Sequence, residues 1–532
     1  MSELVHDFIS RAARQWPAAP ALVHGAARLD YTALAQAVAE AAQTLLGTGL
    51  GRAERVAVYL EKRLENVAAC FGAAAAGAVF VPVNPLLKAQ QVAYILADCN
   101  VRVLLTSPER LAQLAPVLAA CPALHTVFVT GEPVALAGLQ VRAWAGPPAP
   151  PGPALAPHRV IDADMAAILY TSGSTGQPKG VVLSHRNLVA GAHSVAQYLA
   201  LSPQDRVLAV LPLSFDYGLS QLTTAFHAGA CVVLINHLFA RDIARAVADE
   251  AITGLAAVPP LWLQLAQLAW PAECSLRYLT NSGGAMPRPA IDALRAALPR
   301  AELFLMYGLT EAFRSTYLPP AELAMRPDSI GRAIPNAEVM VVRPDGSRCA
   351  PGEPGELVHR GALVALGYWN DPARTAERFR PAPGQDPALP GGELAVWSGD
   401  TVRQDEQGYF YFIGRSDDMI KVSGYRISPA EIEEVVYATR MVGEAAAFGV
   451  PHPALGQAIV VLAVASADTV TPAALLKECQ RRLPAYMVPA HIEMCSGPLP
   501  RNPNGKIDRS ALRQSCLALF DSPTPTERPA TP

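Results

Sequence analysis

Residues 171–180 read TSGSTGQPKG and follow directly on the apolar run AAILY. Thr171, Ser172, Gly173, Ser174, Thr175 and Gly176 precede Pro178 and Lys179, which makes a loop with several N–H and O–H donors and one cation. Such a set suits a polyphosphate. The loop is not a Walker A motif. That motif has glycine before the lysine and a hydroxyl residue after it, whereas here Pro178 precedes Lys179 and Gly180 follows. A glycine/serine surface turn is the plainer alternative, set against a position between a buried-looking strand and GVVLSH. Lys179 is one of six lysines, with Lys62, Lys88, Lys421, Lys477 and Lys506, among 43 basic residues. Arginine fills nearly every ordinary surface-cation position, so a lysine inside this loop is expected for its compact ammonium.

Further stretches of this kind follow in order: SGGAM at 282–286, YGLTE at 307–311, SGD at 398–400, GRSDDMIKVSGYRISPAEIE from Gly414 and NPNGKIDR from Asn502. With these motifs the chain resembles the adenylate-forming superfamily of acyl-CoA synthetases, carrier-loading adenylation domains and luciferases, over roughly residues 10–515. LPLSFDYGLSQ, LTNSGGAMPR and YGLTEAFRSTYLPP resemble most the AMP-forming acyl-CoA ligases associated with exosortase A systems.

The resemblance implies chemistry in two halves. A carboxylate first attacks the α-phosphorus of ATP, giving an acyl-adenylate and pyrophosphate; a thiol, from coenzyme A or from the phosphopantetheine of a carrier protein, then displaces AMP. Fixed donors and cations aimed at the phosphate oxygens lower the first barrier. By the same resemblance Lys506 bridges the substrate carboxylate and the phosphate, Thr310 touches the α-phosphate, Lys179 acts beside them, and Glu311 holds Mg²⁺, a hard-oxygen role. Tyr307 joins the nucleotide site, Asp400 and Arg415 grip the ribose hydroxyls as acceptor and donor, and Gly283, Gly284 and Ala285 form a small-residue strand beside the adenine. Asp417 is the hinge about which a small domain rotates, withdrawing Lys506 and bringing in a thiol-step loop that includes Ser423, Gly424 and Tyr425. The residues alone leave plainer readings open. Glu311 could be a helix N-terminal acid, Asp400 and Arg415 a surface ion pair, residues 283–285 a tight turn, NPNG an ordinary turn carrying a solvated lysine, and Asp417 with Asp418 a solvated loop pair.

One segment departs from the simple acyl-CoA synthetases, which often carry a histidine in a PLFH sequence where this chain has PLSFDYG. The pattern resembles the FD motif of amino-acid-activating domains, so Asp216 is a candidate counter-ion for a substrate amine. The comparison puts Tyr217, Ser220, Ala257, Thr280, Ser282, Met306, Arg314 and Ser315 around the same pocket. Either Asp216 and Arg314 pair with each other and leave a neutral site, or the pocket takes a small polar or amino-bearing acid. A long fatty chain is disfavoured, because unpaired charge beside methylenes is costly. The leading reading is an ATP-dependent, AMP-forming acid–thiol ligase using coenzyme A; the alternative is an amino-acid-type adenylation enzyme loading a free-standing carrier protein. A kinase or Walker-type ATPase lacks its motifs here, and an inactive binding protein does not need Lys506, Glu311, Asp400 and Arg415 together.

These residues require particular elements beneath them. From Tyr31 to Gly361 helical patterns alternate with β-branched runs such as RVAVYL, VRVLLT, RVLAVLP and AELFLMYG, which predicts parallel sheets layered with helices. From Gly355 the text turns to antiparallel hairpins, and a small α+β unit follows, with helices near 429–440 and 472–483 and strands near 445–450 and 458–465. The expected class is α/β. A large N-terminal domain over residues 1–416 holds layered α/β subdomains and a β-rich subdomain, a small mobile C-terminal domain spans 417–520, and the proline-rich tail 521–532 is disordered. Residues 146–157 form a proline-rich linker or loop.

The composition fits a well-buried enzyme. Hydrophobic residues are 51% of 532, and 43 basic against 46 acidic side chains leave a net charge of -3, so there is no general field for nucleic acid or an anionic membrane. The apolar run 67–83 is short and diluted by small residues; it is expected to be a buried helix running into a strand, not a membrane span. Nine scattered cysteines show no disulfide or zinc spacing. The opening residues lack a signal pattern, and a cytoplasmic location is expected. The chain stops soon after NPNGKIDR, so any carrier is expected to act in trans.

Overall fold

The computed structural model describes residues 3–144, 154–171, 178–271, 273–386, 388, 390–415, 418–422, 425–452, 455–483, 485–503 and 505–520. Ser172, Gly173, Ser174, Thr175 and Gly176 of the loop, the hinge residue Asp417, Ser423 and Gly424 of the thiol-step loop, most of the 146–157 linker and the 521–532 tail lie outside the described residues.

The architecture is α/β, as the alternation predicts. One sheet runs through parallel strands Pro20–His24, Cys231–Leu234, Arg206–Ala209, Gly254–Ala257, Tyr278–Asn281 and Glu302–Leu309. A second holds Arg55–Tyr59, Val79–Pro82, Val101–Thr106, Thr126–Val129 and Met165–Thr171 in parallel, with Lys179–Ser184 folded back antiparallel on the last. The run 67–83 is the body of helix Leu64–Ala76 followed by strand Val79–Pro82, with Gly77 in the left-handed region between them. Glycine is the residue that ends a helix in that conformation without steric cost. No helix among the described residues is long and apolar enough to cross a membrane.

The change to antiparallel pairing comes earlier than Gly355. Thr310–Ala312 is too short to cross over a sheet, so Phe313–Leu318 can only return antiparallel to Glu302–Leu309. Ser329–Ala333 then pairs with Phe410–Arg415, which joins the hairpin region to the parallel strands in one continuous sheet. The sequence reading treats these as separate subdomains because the paired residues are about eighty positions apart, as with Ser329 and Tyr411. After Ile420 a five-stranded sheet carries helices Pro429–Ala438 and Pro472–Arg482.

The turn at 310–312 is held by close contact. A Cβ on Gly308 would lie 2.1 Å from the Phe313 carbonyl oxygen and 2.7 Å from the Arg314 Cα, so neither backbone nor neighbour can give way cheaply. Phe313 itself sits at φ 58, and its ring occupies space left by Gly191, whose added Cβ would meet it at 2.6 Å. Gly308→Ala is expected to cost about 1–3 kcal/mol of stability through overpacking, read as a lower midpoint in urea. An unchanged midpoint would show that the hairpin relaxes freely.

Candidate active site

The phosphate side is built where two strands end beside the turn at 310–312. Lys179 opens strand Lys179–Ser184 and pairs in register with Thr171. Its Nζ donates to Glu311 Oε1 at 2.8 Å and to the Tyr368 hydroxyl at 2.8 Å, and the Tyr368 hydroxyl donates to the same Glu311 oxygen at 2.5 Å. Glu311 is 7% exposed and lies in a turn between strands, so it is not a helix N-terminal acid. Burial pushes its carboxyl up, but the Lys179 ammonium and the hydrogen bonds from Lys179 and Tyr368 outweigh that and hold it below the usual carboxylate range. Both side-chain bonds converge on Oε1, and a hard carboxylate oxygen is a ligand type that fits Mg²⁺. The Thr171 hydroxyl is buried without a hydrogen-bond partner, a donor available to a phosphate.

Tyr368 is absent from the sequence expectations. It stands on the two-residue strand Gly367–Tyr368, which pairs with Val181 and Val182 and so reaches Lys179 from across the sheet edge. Its only sequence signal is the preceding glycine, which at φ +133 takes a backbone conformation unsuited to other residues.

On the nucleoside side, strand register does the positioning. Asp400 of Leu394–Gln404 lies directly opposite Arg415 of Phe410–Arg415. The Arg415 guanidinium is 3.5 Å from Asp400 Oδ1, and the Tyr307 hydroxyl donates to Asp400 Oδ2. Asp400 is buried, so this is not the surface ion pair that the residues alone allow. An acceptor and a donor side by side can bind a diol. Behind Tyr307 the ring of His359 stacks at 6.1 Å between centroids. Burial pushes the His359 imidazole down to about 3, so it is neutral at working pH.

Gly283, Gly284 and Ala285 are not a strand. The strand ends at Asn281 and these residues bend away from it, because Gly283 sits at φ +86, outside the extended region. Lys506 explains the glycine as much as any ligand does: its Cε lies 3.2 Å, and its Nζ 3.7 Å, from where a Cβ on Gly283 would be. Lys506 therefore reaches into the site. The turn that presents it is closed on itself, with Asn502 N donating to Lys506 O and Lys506 N to Asn502 Oδ1, and Pro503 O accepts from Asn84 of the opposite unit. Burial lowers the Lys506 ammonium, and the Asp216 carboxylate partly opposes this.

Two small cavities lie side by side, both touched by Ser220. One includes Asp216, Thr223, Thr310 and Phe313; the other includes Tyr217, Thr280, Met306 and Arg314. Ala257, Ser282 and Ser315 are buried nearby but line neither. Asp216 begins helix Asp216–Ala228, and burial raises its carboxyl while Arg314 and Lys506 pull it back. Among the described residues no salt bridge or hydrogen bond joins Asp216 to Arg314, yet Arg314 exerts the largest charge effect on the Asp216 carboxyl, so the two partly compensate across the pocket.

The lysine–carboxylate pair at Lys179 and Glu311, the acceptor–donor pair at Asp400 and Arg415, and Lys506 against Gly283 lie along strand ends and turns. A family model for AMP-binding enzymes matches residues 9–369, and one for the AMP-binding enzyme C-terminal domain matches residues 431–506; the chain belongs to this family of adenylate-forming ligases. It is 33% identical over 521 residues to an L-proline–[L-prolyl-carrier protein] ligase of Pseudomonas fluorescens, covering 96% of this chain and 99% of that protein. It is also 33% identical over 517 residues to the sulfoacetate–CoA ligase of Cupriavidus necator, covering 95% and 96%. Among solved structures, an anthranilate CoA ligase in complex with anthranoyl-AMP superposes with a TM-score of 0.85 at 25% identity, covering 98% of each chain.

Proposed function

We propose that the protein is an ATP-dependent acid–thiol ligase that forms an acyl-adenylate and passes the acyl group to coenzyme A in the cytoplasm. The observation that carries this reading is Lys506 inserted against Gly283, near enough to the Asp216 carboxylate to feel its field. In that position its ammonium can draw the acid's carboxylate towards the α-phosphorus. The carboxylate oxygen bonds to phosphorus as the bond to pyrophosphate breaks, and the charge that grows on the phosphate oxygens meets Lys506, Lys179, the Thr171 hydroxyl and Thr310. Asp400 and Arg415 hold the ribose. Glu311 would hold Mg²⁺, which supplies further positive charge to those oxygens when bound. In the second half a thiolate bonds to the acyl carbon and AMP leaves. For that step the unit 417–520 turns about Asp417, withdraws Lys506 and presents the loop of Ser423, Gly424 and Tyr425.

The acid is small and polar, a reading supported by the polar side chains Ser220, Thr223, Thr280 and Gln221 that line the two cavities and by the sulfoacetate–CoA ligase relative. A second reading, loading of an amino acid onto a separate carrier protein, is favoured by Asp216 at the start of its helix and by the prolyl-carrier ligase relative. Incubation with ATP, an acid panel, coenzyme A and a phosphopantetheinylated carrier, followed by mass spectrometry, separates them: acyl-CoA supports the first, acylated carrier alone the second.

Asp216→Asn tests the amine. If the carboxylate receives an ammonium, the change is expected to lower kcat/KM for an amino-bearing acid roughly ten- to a hundredfold and to leave an amine-free acid of matched length nearly unchanged. Because Arg314 acts on the Asp216 carboxyl without a hydrogen bond between them, the double variant with Arg314→Gln measures how much of the loss is their coupling. Equal loss on both acids would remove the amine role.

A further inference from the structure

Arg314 is 2% exposed, and its Nε and Nη2 have no hydrogen-bond partner. Among the described residues it makes no salt bridge, although the Asp216 carboxyl is near enough to feel its charge. What it does have is two aromatic faces: its guanidinium carbon lies 4.1 Å from the Phe313 ring centroid and 4.8 Å from that of Tyr217. Such faces favour a desolvated cation modestly, but a buried guanidinium ordinarily also has its N–H donors satisfied. Arg314 lines the small cavity that also includes the hydroxyl and amide side chains of Tyr217, Ser220, Gln221, Thr224 and Thr280. Tyr217 is held in place there by a 2.6 Å hydrogen bond to Thr280.

Strand geometry fixes Arg314 in this position. It lies opposite Gly308 beyond the bulge at Tyr307/Gly308, on a hairpin that Gly308 and Gly191 allow to close, and it cannot swing to solvent without unseating Phe313. The adjoining cavity holds Thr310 and Asp216 and does not include Arg314, so the proposed reacting end and Arg314 lie on different sides. Ser220 stands between the two.

We propose that Arg314 binds a second anionic group on the substrate, so that the acid activated by this site is a short dianion: a carboxylate to be adenylated and, a few atoms away, a carboxylate or sulfonate held by the buried guanidinium. The inference rests on the ligase reading above and adds the class of acid to it. The planar guanidinium offers its Nε and Nη2 edge to two anion oxygens at once.

The test is acid-dependent pyrophosphate exchange on the full chain with acids of three to five carbons in matched sets: monocarboxylates, dicarboxylates, and carboxylates bearing a terminal sulfonate. The unmodified enzyme is expected to prefer the dianions at least tenfold in kcat/KM. Arg314→Gln is expected to remove roughly ten- to a hundredfold from the dianions and to leave or improve the monocarboxylates, while Arg314→Lys restores part of the loss. A protein that prefers monocarboxylates, or an Arg314→Gln variant that weakens every acid equally, overturns the inference and leaves the ligase reading standing. Exchange with no acid at all overturns both. Should Arg314→Gln fail to fold, the preference of the unmodified enzyme, and its thermal stabilisation by dianions over monoanions in the presence of ATP, decide the matter in the same way.

Discussion

Lys506→Ala is expected to lower acid-dependent pyrophosphate exchange by on the order of 10²–10³, while thioester formation from a supplied acyl-adenylate stays largely intact. The loss is chemical and not structural. The turn at 502–506 is closed by Asn502 and by the Lys506 main chain, so truncating the side chain leaves it formed. What disappears is the ammonium that reaches Gly283 from the C-terminal unit, where the proposed reaction builds negative charge on phosphate. The proposed rotation withdraws Lys506 before the second half-reaction, which is therefore expected to be spared. Equal loss in both halves would contradict domain rotation. The same residue sets a pH limb. Burial lowers the Lys506 ammonium and Asp216 raises it, so exchange is expected to fail on the alkaline side below the usual lysine value. Asp216→Asn removes the opposing charge and is expected to move that limb to lower pH still; a limb that does not move would show that Lys506 does not titrate in it.

Glu311→Gln is expected to cut exchange by about a hundredfold or more and to raise the Mg²⁺ concentration needed for half-maximal rate. The substitution keeps shape and one acceptor oxygen but removes the charge that both Lys179 and a cation face. Because the Glu311 carboxyl is held below the usual range, it stays ionised across neutral pH. Its pairing with Lys179 contributes stability above the unfolded carboxyl value and is lost as pH falls through the lowered folded one. An unchanged Mg²⁺ requirement would assign Glu311 to positioning Lys179 alone.

Much of the fold is legible in the sequence because local signals and tertiary structure agree. β-branched runs such as VRVLLT become strands, and the 67–83 run divides into helix and strand where Gly77 permits the turn. What the sequence does not reveal depends on long-range pairing. The seam at Ser329–Ala333 joins residues far apart in the chain, and Tyr368 reaches Lys179 only because a two-residue strand docks on Val181. His359 is likewise a buried partner of Tyr307 with no motif of its own. Residues 283–285 read as a strand because small residues suit one, yet Gly283 at positive φ makes a bend and leaves room for Lys506. Opposite charges at Asp216 and Arg314 suggest a pair in one dimension. In three dimensions they act on each other through their charges without a hydrogen bond between them.

The nucleotide product tests the account most directly. With ATP, Mg²⁺, coenzyme A and a panel of short polar acids, the account predicts acid-dependent release of AMP and pyrophosphate in equal amounts. Acid-independent formation of ADP and phosphate would contradict it.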